Sequence, residues 1–353
     1  MMAPSVHPPA AVAWHRRALA HPLFWPLAAL ALLLLGNALF NPGFLGLQWR
    51  DGHLYGSLVD ILNRAAPLAL VSLGMTLVIA VRGLDISVGA VLAISATVAA
   101  WMIGGEQAGS RYPLPLVLTA ALGAAALCGL WNGMLVVKAG MQPIVATLIL
   151  MVAGRGIAQL IGDGQILTIY YPPYFFFGSG FFLGLPVSLW IVAGVGLLLY
   201  LALDRTALGL FVRAIGGNPL AARAAGVPAR LITVCLYVFC ALSAGLAGIL
   251  VSSNVKSADA NNAGQLLELD AILAVTLGGT LLSGGRFSLA GSVVGALIIQ
   301  TLTATIYSIG VPPQVNLLVK ALLVFVVLLL QSAQFRAGVR RVVLRRAAAE
   351  GGA

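Results

Sequence analysis

Residues 204–230 read DRTALGLFVRAIGGNPLAARAAGVPAR, a basic stretch with four arginines set between two long apolar runs. Asn218 is suited to cap a helix, Pro219 to take its first position, and Gly226 with Pro228 to stop it. The predicted helix, 219–225, is about 10 Å long at 1.5 Å per residue. It is too short to cross a bilayer and too rich in alanine to anchor in one. Such a helix, lying on a surface between apolar runs, is a lever that a partner can grip.

Working outward, the composition points to a membrane. Of 353 residues 60% are hydrophobic and 8% charged, and the apolar runs repeatedly approach 20 residues. Ten candidate spans follow: 22–40, 58–81, 87–103, 115–137, 143–161, 185–203, 231–252, 269–282, 289–309 and 315–331. The eighth is short and reads as broken or re-entrant. The expected architecture is all-α, a polytopic bundle of about ten transmembrane helices forming a single domain over 1–353. Its predicted cytoplasmic parts are 1–21, the loop 204–230 and a basic tail, 332–353. Ten crossings put both termini on one side. With that side inside, fourteen Lys and Arg residues, from Arg16 to Arg346, fall on inner segments, and only Arg50, Arg111 and Lys256 on outer loops. The positive-inside rule then places both ends in the cytoplasm. It also accounts for the net charge of +10 without nucleic acid. Arg16–Arg17 before the first run could open a signal peptide, but no A-x-A site follows, so an uncleaved anchor is expected. Cys128, Cys235 and Cys240 lie inside apolar runs and read as small hydrophobes rather than a disulfide framework.

Glycine is frequent, 41 residues, and the pairs Gly129/Gly133 and Gly291/Gly295 have the spacing that lets membrane helices approach closely. Two turns resemble each other, Gly74-Met-Thr-Leu before Arg82 and Gly278-Gly-Thr-Leu before Arg286, through either an internal duplication or shared turn chemistry. Charges inside spans cost roughly 2.5 to 3.5 kcal/mol at a helix centre, so each needs a reason. Arg155 sits about 18 Å along its helix, with Gln159 one turn later. Either the two line a polar pathway, or Arg155 is tied to a carbonyl or to Asp163. Asp60/Arg64 and Asn316/Lys320 are each four apart, a spacing that suits local pairing. Asn132, Asp270 and Gln300 have no evident local partner and are candidates for the pathway. In VRGLDISVG, 81–89, Arg82 and Asp85 are three apart, which suggests a tight ion-paired turn or a gate. The eight aromatics from Tyr170 to Phe182 suggest an interfacial belt, or else a surface on which a ligand stacks or a partner docks.

There is no phosphate-binding G-x-x-x-x-G-K-[ST] loop, so the chain is not expected to split ATP. His7, His15, His21 and His53 lie outside the spans or at the edge of one, which argues against a haem or metal site in the bilayer. The few intramembrane carboxylates argue against ion coupling. No cluster of nucleophile, base and metal ligand supports an intramembrane lipid enzyme.

The stretches NRAAPLALVSLGMTLVIAVRGLDISVGA, GLWNGMLVV, QPIVATLILMVAGRG, AIGGNPLAARAAGV and DANNAGQLLELDAILAVTLGG resemble the permease subunits of binding-protein-dependent ABC importers. They are most similar to the sugar branch that holds ribose, xylose and galactofuranose permeases. The galactofuranose likeness is strongest through SADANNAGQLLELDAI and AGRGIAQLI. The resemblance implies a separate ATPase that supplies ATP and Mg chemistry, a periplasmic sugar-binding protein, a second permease, identical or related, and a lipid surround. It also implies coupling through Arg213, Gly216, Asn218, Pro219, Ala221, Ala222, Arg223 and Gly226. A branched-chain amino acid permease and an ion-coupled sugar transporter remain the alternatives.

Overall fold

The computed structural model describes residues 23–50, 52–104, 109–310, 315, 317–322 and 325. The first described elements are helix α1 (Phe24–Phe40) and a small hairpin, β1 (Gln48–Arg50) and β2 (His53–Tyr55). Four helices follow: α2 (Ser57–Ala80), α3 (Val88–Ile103), α4 (Leu114–Val137) and α5 (Pro143–Ile161). A compact connection holds β3 (Leu167–Thr168), α6 (Pro172–Ser179), β4 (Phe181–Phe182) and β5 (Leu185–Pro186). Then come α7 (Val187–Asp204), two short helices α8 (Leu208–Gly217) and α9 (Pro219–Ala224), and the long α10 (Ala229–Val255). The short strand β6 (Ser257–Ala258) pairs with β3, and α11 (Leu267–Leu277) and α12 (Leu289–Ser308) form a hairpin.

Among the described residues six helices are long and apolar enough to cross a membrane: α2, α4, α5, α7, α10 and α12. The expected spans 22–40 and 87–103 correspond to α1, of 17 residues, and α3, of 16. The expected eighth span is α11, and its 11 residues cover roughly half of a 30 Å hydrocarbon layer. Residues 315, 317–322 and 325 of the last expected span are helical, and the rest of it lies outside the described residues. So do 1–21 and 332–353.

α10 is the axis of the bundle, and small residues bring its neighbours against it. Antiparallel to it runs α2, with Gly74 so close that a β-carbon there would sit 2.8 Å from the Cys240 Cα. Gly129 and Gly133 of α4 likewise face Val238 and Val234 of α10, which is the close approach their spacing predicts. In the α11–α12 hairpin, Gly278 lies on Gly291, and a β-carbon on Gly295 would fall 1.9 Å from the Ala274 carbonyl oxygen. Polar side chains add specific ties where no water can reach. Thr76 Oγ1 lies 2.7 Å from Ser292 Oγ, joining α2 to α12, and Asn37 Nδ2 donates to Thr305 Oγ1 at 2.7 Å, docking α1.

The aromatic segment does not form a uniform belt. Tyr174 is fully buried and within 2.7 Å of Ser252 Oγ, Phe175 lies under Lys256, and Tyr170, Phe176 and Phe182 face outward. Of the cysteines only Cys240 is buried; Cys128 is intermediate and Cys235 exposed.

Candidate coupling loop and polar pathway groups

The loop 204–230 folds as two helices, although the sequence reading gave one. α8 was missed despite an i, i+3, i+4, i+7 pattern, Leu208, Phe211, Val212 and Ile215. That face packs on Leu199 and Leu203 of α7, Leu77 and Ala80 of α2, and Ile232 and Leu236 of α10. Arg213 points the other way, over the Phe287 ring at 5.7 Å.

The ends of α9 form as its sequence dictates. Asn218 Oδ1 accepts from the backbone N–H groups of Leu220 and Ala221, both at 3.1 Å, and Pro219 occupies the first helical position. At the other end Gly226 takes φ +82°, its N–H reaches the Arg223 carbonyl at 3.0 Å, and the Val227 N–H reaches the Ala222 carbonyl at 3.1 Å. This is a Schellman closure, which requires a left-handed residue and so favours glycine. The outward face of α9 carries Leu220, Ala221, Arg223 and Ala224, all exposed.

Two residues expected on the coupling surface face the chain itself. Ala222 is buried in the cluster that seats α8. Gly216 is wedged so tightly that a β-carbon would sit 1.9 Å from the Ala80 carbonyl oxygen and 2.4 Å from the Gly285 nitrogen. Both hold the loop to the bundle, which leaves them unavailable to a partner in this arrangement.

Arg82 and Asp85 do not pair. Arg82 takes φ +67°, just past the end of α2, and its Nε and Nη2 donate to the carbonyls of Gly216 and Gly217 at 2.7 and 2.5 Å. Asp85 turns inward and is fully buried. Its Oδ1 accepts from the Ser87 N–H at 3.0 Å and the Ser87 hydroxyl at 2.6 Å. Asn132, which lacked a local partner in sequence, joins this cluster by donating to Ser87 Oγ at 2.8 Å and, more weakly, to Asp85 Oδ1 at 3.4 Å. These donors offset part of the cost of burying the carboxyl group. Asp60 and Arg64 form no ion pair either.

Arg155 and Gln159 act together, on carbonyls and not on Asp163. Arg155 Nη1 donates to the Ala260 and Ala263 carbonyls at 3.1 and 2.6 Å, and Gln159 Nε2 to Asn261 Oδ1 at 2.5 Å. These bonds hold α5 to the connection between β6 and α11. That connection is ordered by Asp259, which accepts from the Asn261 and Asn262 N–H groups and from Asn262 Nδ2. The Asn262 amide keeps the Asp259 carboxyl below its usual range.

The connection also dips back into the bundle. Gly264 lies against Gly89 near the start of α3, and Glu268, in the first turn of α11, is buried beside the same glycine. Glu268 was missed because it fell just outside the expected span; an acidic pair in LLELDAI was the available signal. Asp270 has a partner that sequence spacing could not supply, Lys320 Nζ at 2.7 Å. Gln300 is half-buried on α12, and its side chain makes no hydrogen bond with another described residue. Arg82, the Asp85–Asn132 cluster, the Arg155–Gln159 pair and Asp270 therefore have four separate sets of hydrogen-bond partners.

The chain matches the family described as branched-chain amino acid transport system / permease component over residues 57–328. It is 52% identical over 317 residues to the galactofuranose transporter permease protein YtfT of Escherichia coli, covering 88% of this chain and 91% of that one. It is 36% identical over 323 residues to the fructose import permease protein FruF of Bifidobacterium longum, with 90% and 89% covered. Against the ribose import permease protein RbsC of Escherichia coli the identity is 34% over 310 residues, with 87% and 92% covered. No solved structure matches. The match spans α2 through α12, and this multi-pass membrane protein belongs to the family described as branched-chain amino acid transport system / permease component.

Proposed function

We propose that the chain is the membrane-spanning subunit of an ATP-driven, binding-protein-dependent importer for galactofuranose or a similar monosaccharide. The observation that carries the reading is the 52% identity to a galactofuranose transporter permease over nearly the full length of both chains. In this reading a separate ATPase binds ATP and Mg and grips the outward face of α9. A periplasmic protein delivers the sugar, and a second permease, identical or related, completes the pathway. The whole chain is one permease domain in the inner membrane, with 1–21, 204–230 and 332–353 in the cytoplasm. The distribution of basic residues supports that orientation.

The geometry supports the coupling part independently. α9 is closed at both ends and presents a small, firm face, while α8 seats it on three spans at once. Closure of the ATPases would push this unit against α2, α7 and α10, and packed helices respond to such a push by switching between discrete arrangements. Because the delivery protein recognises the sugar, the pathway itself needs only weak polar contacts. Transport of branched-chain amino acids is the second reading, favoured by the description of the matching family.

The test is to purify the chain with its native partners, reconstitute them in liposomes and measure uptake. ATP-dependent uptake of galactofuranose over leucine is expected, with a nucleotide-binding subunit in the complex. Preference for leucine would transfer the assignment to amino acids. Uptake that survives ATP depletion and collapses with an uncoupler would overturn the importer reading.

A further inference from the structure

We propose that Arg82 is the positioning residue through which movement of the coupling helix reaches the core of the bundle. This rests on the coupling reading of α9. The covalent route from α9 leads through 225–228 into α10, but nothing in the chain's connectivity joins α9 to α2 or to the α11–α12 hairpin. Packing of α8 on Ala80 and Gly285 brings these segments together, and Arg82 adds a hydrogen-bonded tie across them. Its guanidinium reaches the two last carbonyls of α8, Gly216 and Gly217, at 2.7 and 2.5 Å. Those carbonyls are the negative end of α8, and α9 starts two residues later, so a fixed cation there holds the base of the lever.

The same turn grips the α11–α12 connection. The Gly285 N–H donates to the Ala80 carbonyl, the last residue of α2, at 2.9 Å. Gly284 and Gly285 both adopt left-handed backbone, φ +83° and +84°, and a β-carbon on Gly284 would fall 2.7 Å from the Arg82 Cγ. Arg213 over Phe287 ties α8 to this connection a second time. Three segments far apart in sequence thus meet in close contact, and the Arg82 side chain carries the hydrogen bonds from the end of α2 to the end of α8. A displacement of α8 and α9 must pull on Arg82 or break its bonds. With the bonds intact, the pull reaches α2 and the α11–α12 hairpin as well as α10.

Arginine is also an unusual residue for that backbone. Its φ of +67° lies where glycine is at ease and a β-carbon is strained. Glycine at 82 therefore relaxes the turn while deleting the tie, which separates a transmission role from a structural one. A lysine keeps the charge but offers no planar fork for two carbonyls.

The experiment uses the full complex in liposomes and compares wild type with Arg82→Gly and Arg82→Lys, measuring melting temperature, ATP hydrolysis and uptake. The expected result for Arg82→Gly is an unchanged melting temperature and retained ATPase subunit, with uptake per ATP hydrolysed falling about tenfold or more, since one charged hydrogen bond is enough for a change of that size. Arg82→Lys should fall between. Wild-type coupling in Arg82→Gly would overturn the proposal, as would a large drop in melting temperature in both variants, which would make the tie structural only. Leu220→Glu, on the outward face of α9, separates the two readings. If it leaves ATPase recovery and uptake normal, the coupling reading fails; if it uncouples while Arg82→Gly does not, the transmission role of Arg82 alone fails.

Discussion

Helices α2 and α7 are both long and apolar, yet they occupy opposite places. α2 is the least hydropathic of the six long spans and the most enclosed, with 78% of its most apolar 18 residues buried; for α7 the share is 22%. In water the more apolar helix would lie inside. In a bilayer the lipid is as apolar as any leucine, so greasiness alone cannot draw a helix to the centre. What does so is close fit and internal hydrogen bonding. α2 brings Ala65, Ala66, Ala69, Ser72, Gly74 and Thr76 to its neighbours, while α7 turns Leu197, Leu198, Tyr200 and Leu201 outward.

The comparison can be broken most directly at its glycines. Gly74→Val should have the largest effect, because the new side chain meets the backbone of Cys240; overpacking of this kind costs about 1–3 kcal/mol or more. Thermal unfolding followed by size-exclusion chromatography in detergent should show little monodisperse protein. A second, smaller effect is expected for Asn132→Leu, which strips a donor from the buried Asp85–Ser87 cluster. A loss of about 1–3 kcal/mol should appear as a lower melting temperature. Asn218→Ala removes the α9 cap at a cost of about 1 kcal/mol, and it should raise amide exchange at Leu220 and Ala221 before it moves the global melting temperature. The smallest effect belongs to Gly194→Val on α7, where nothing lies within 4 Å of the new carbon. A shift within about 0.5 kcal/mol is expected, and a large one would mean that α7 is enclosed after all.

The spans were legible because each writes its own signal over some twenty consecutive residues. The α9 caps were legible for the same reason: Asn218, Pro219 and Gly226 act on backbone groups within a few positions of themselves. Partnerships across the chain were not. Spacing suggested Arg82 with Asp85, but past the end of α2 the left-handed turn sends Arg82 toward carbonyls 134 and 135 residues away. Asp270 with Lys320, 50 residues apart, escaped for the same reason. The roles of Gly216 and Ala222 were misplaced because small residues suit a partner's groove and a crowded interior equally well. Only the neighbours decide, and they come from α2 and from the turn before α12.

The caps of α9 carry a consequence for recognition. A helix normally leaves backbone donors at its start and acceptors at its end for others to use. Here Pro219 has no N–H to offer, the next two are taken by the Asn218 side chain, and the carbonyls of Ala221, Ala222 and Arg223 are taken by Ala225, Val227 and Gly226. An incoming surface finds few main-chain groups to read. What remains legible from outside is a handful of methyl groups, one leucine and one guanidinium, so a partner docking there as proposed would have to recognise α9 by contour and a single charge.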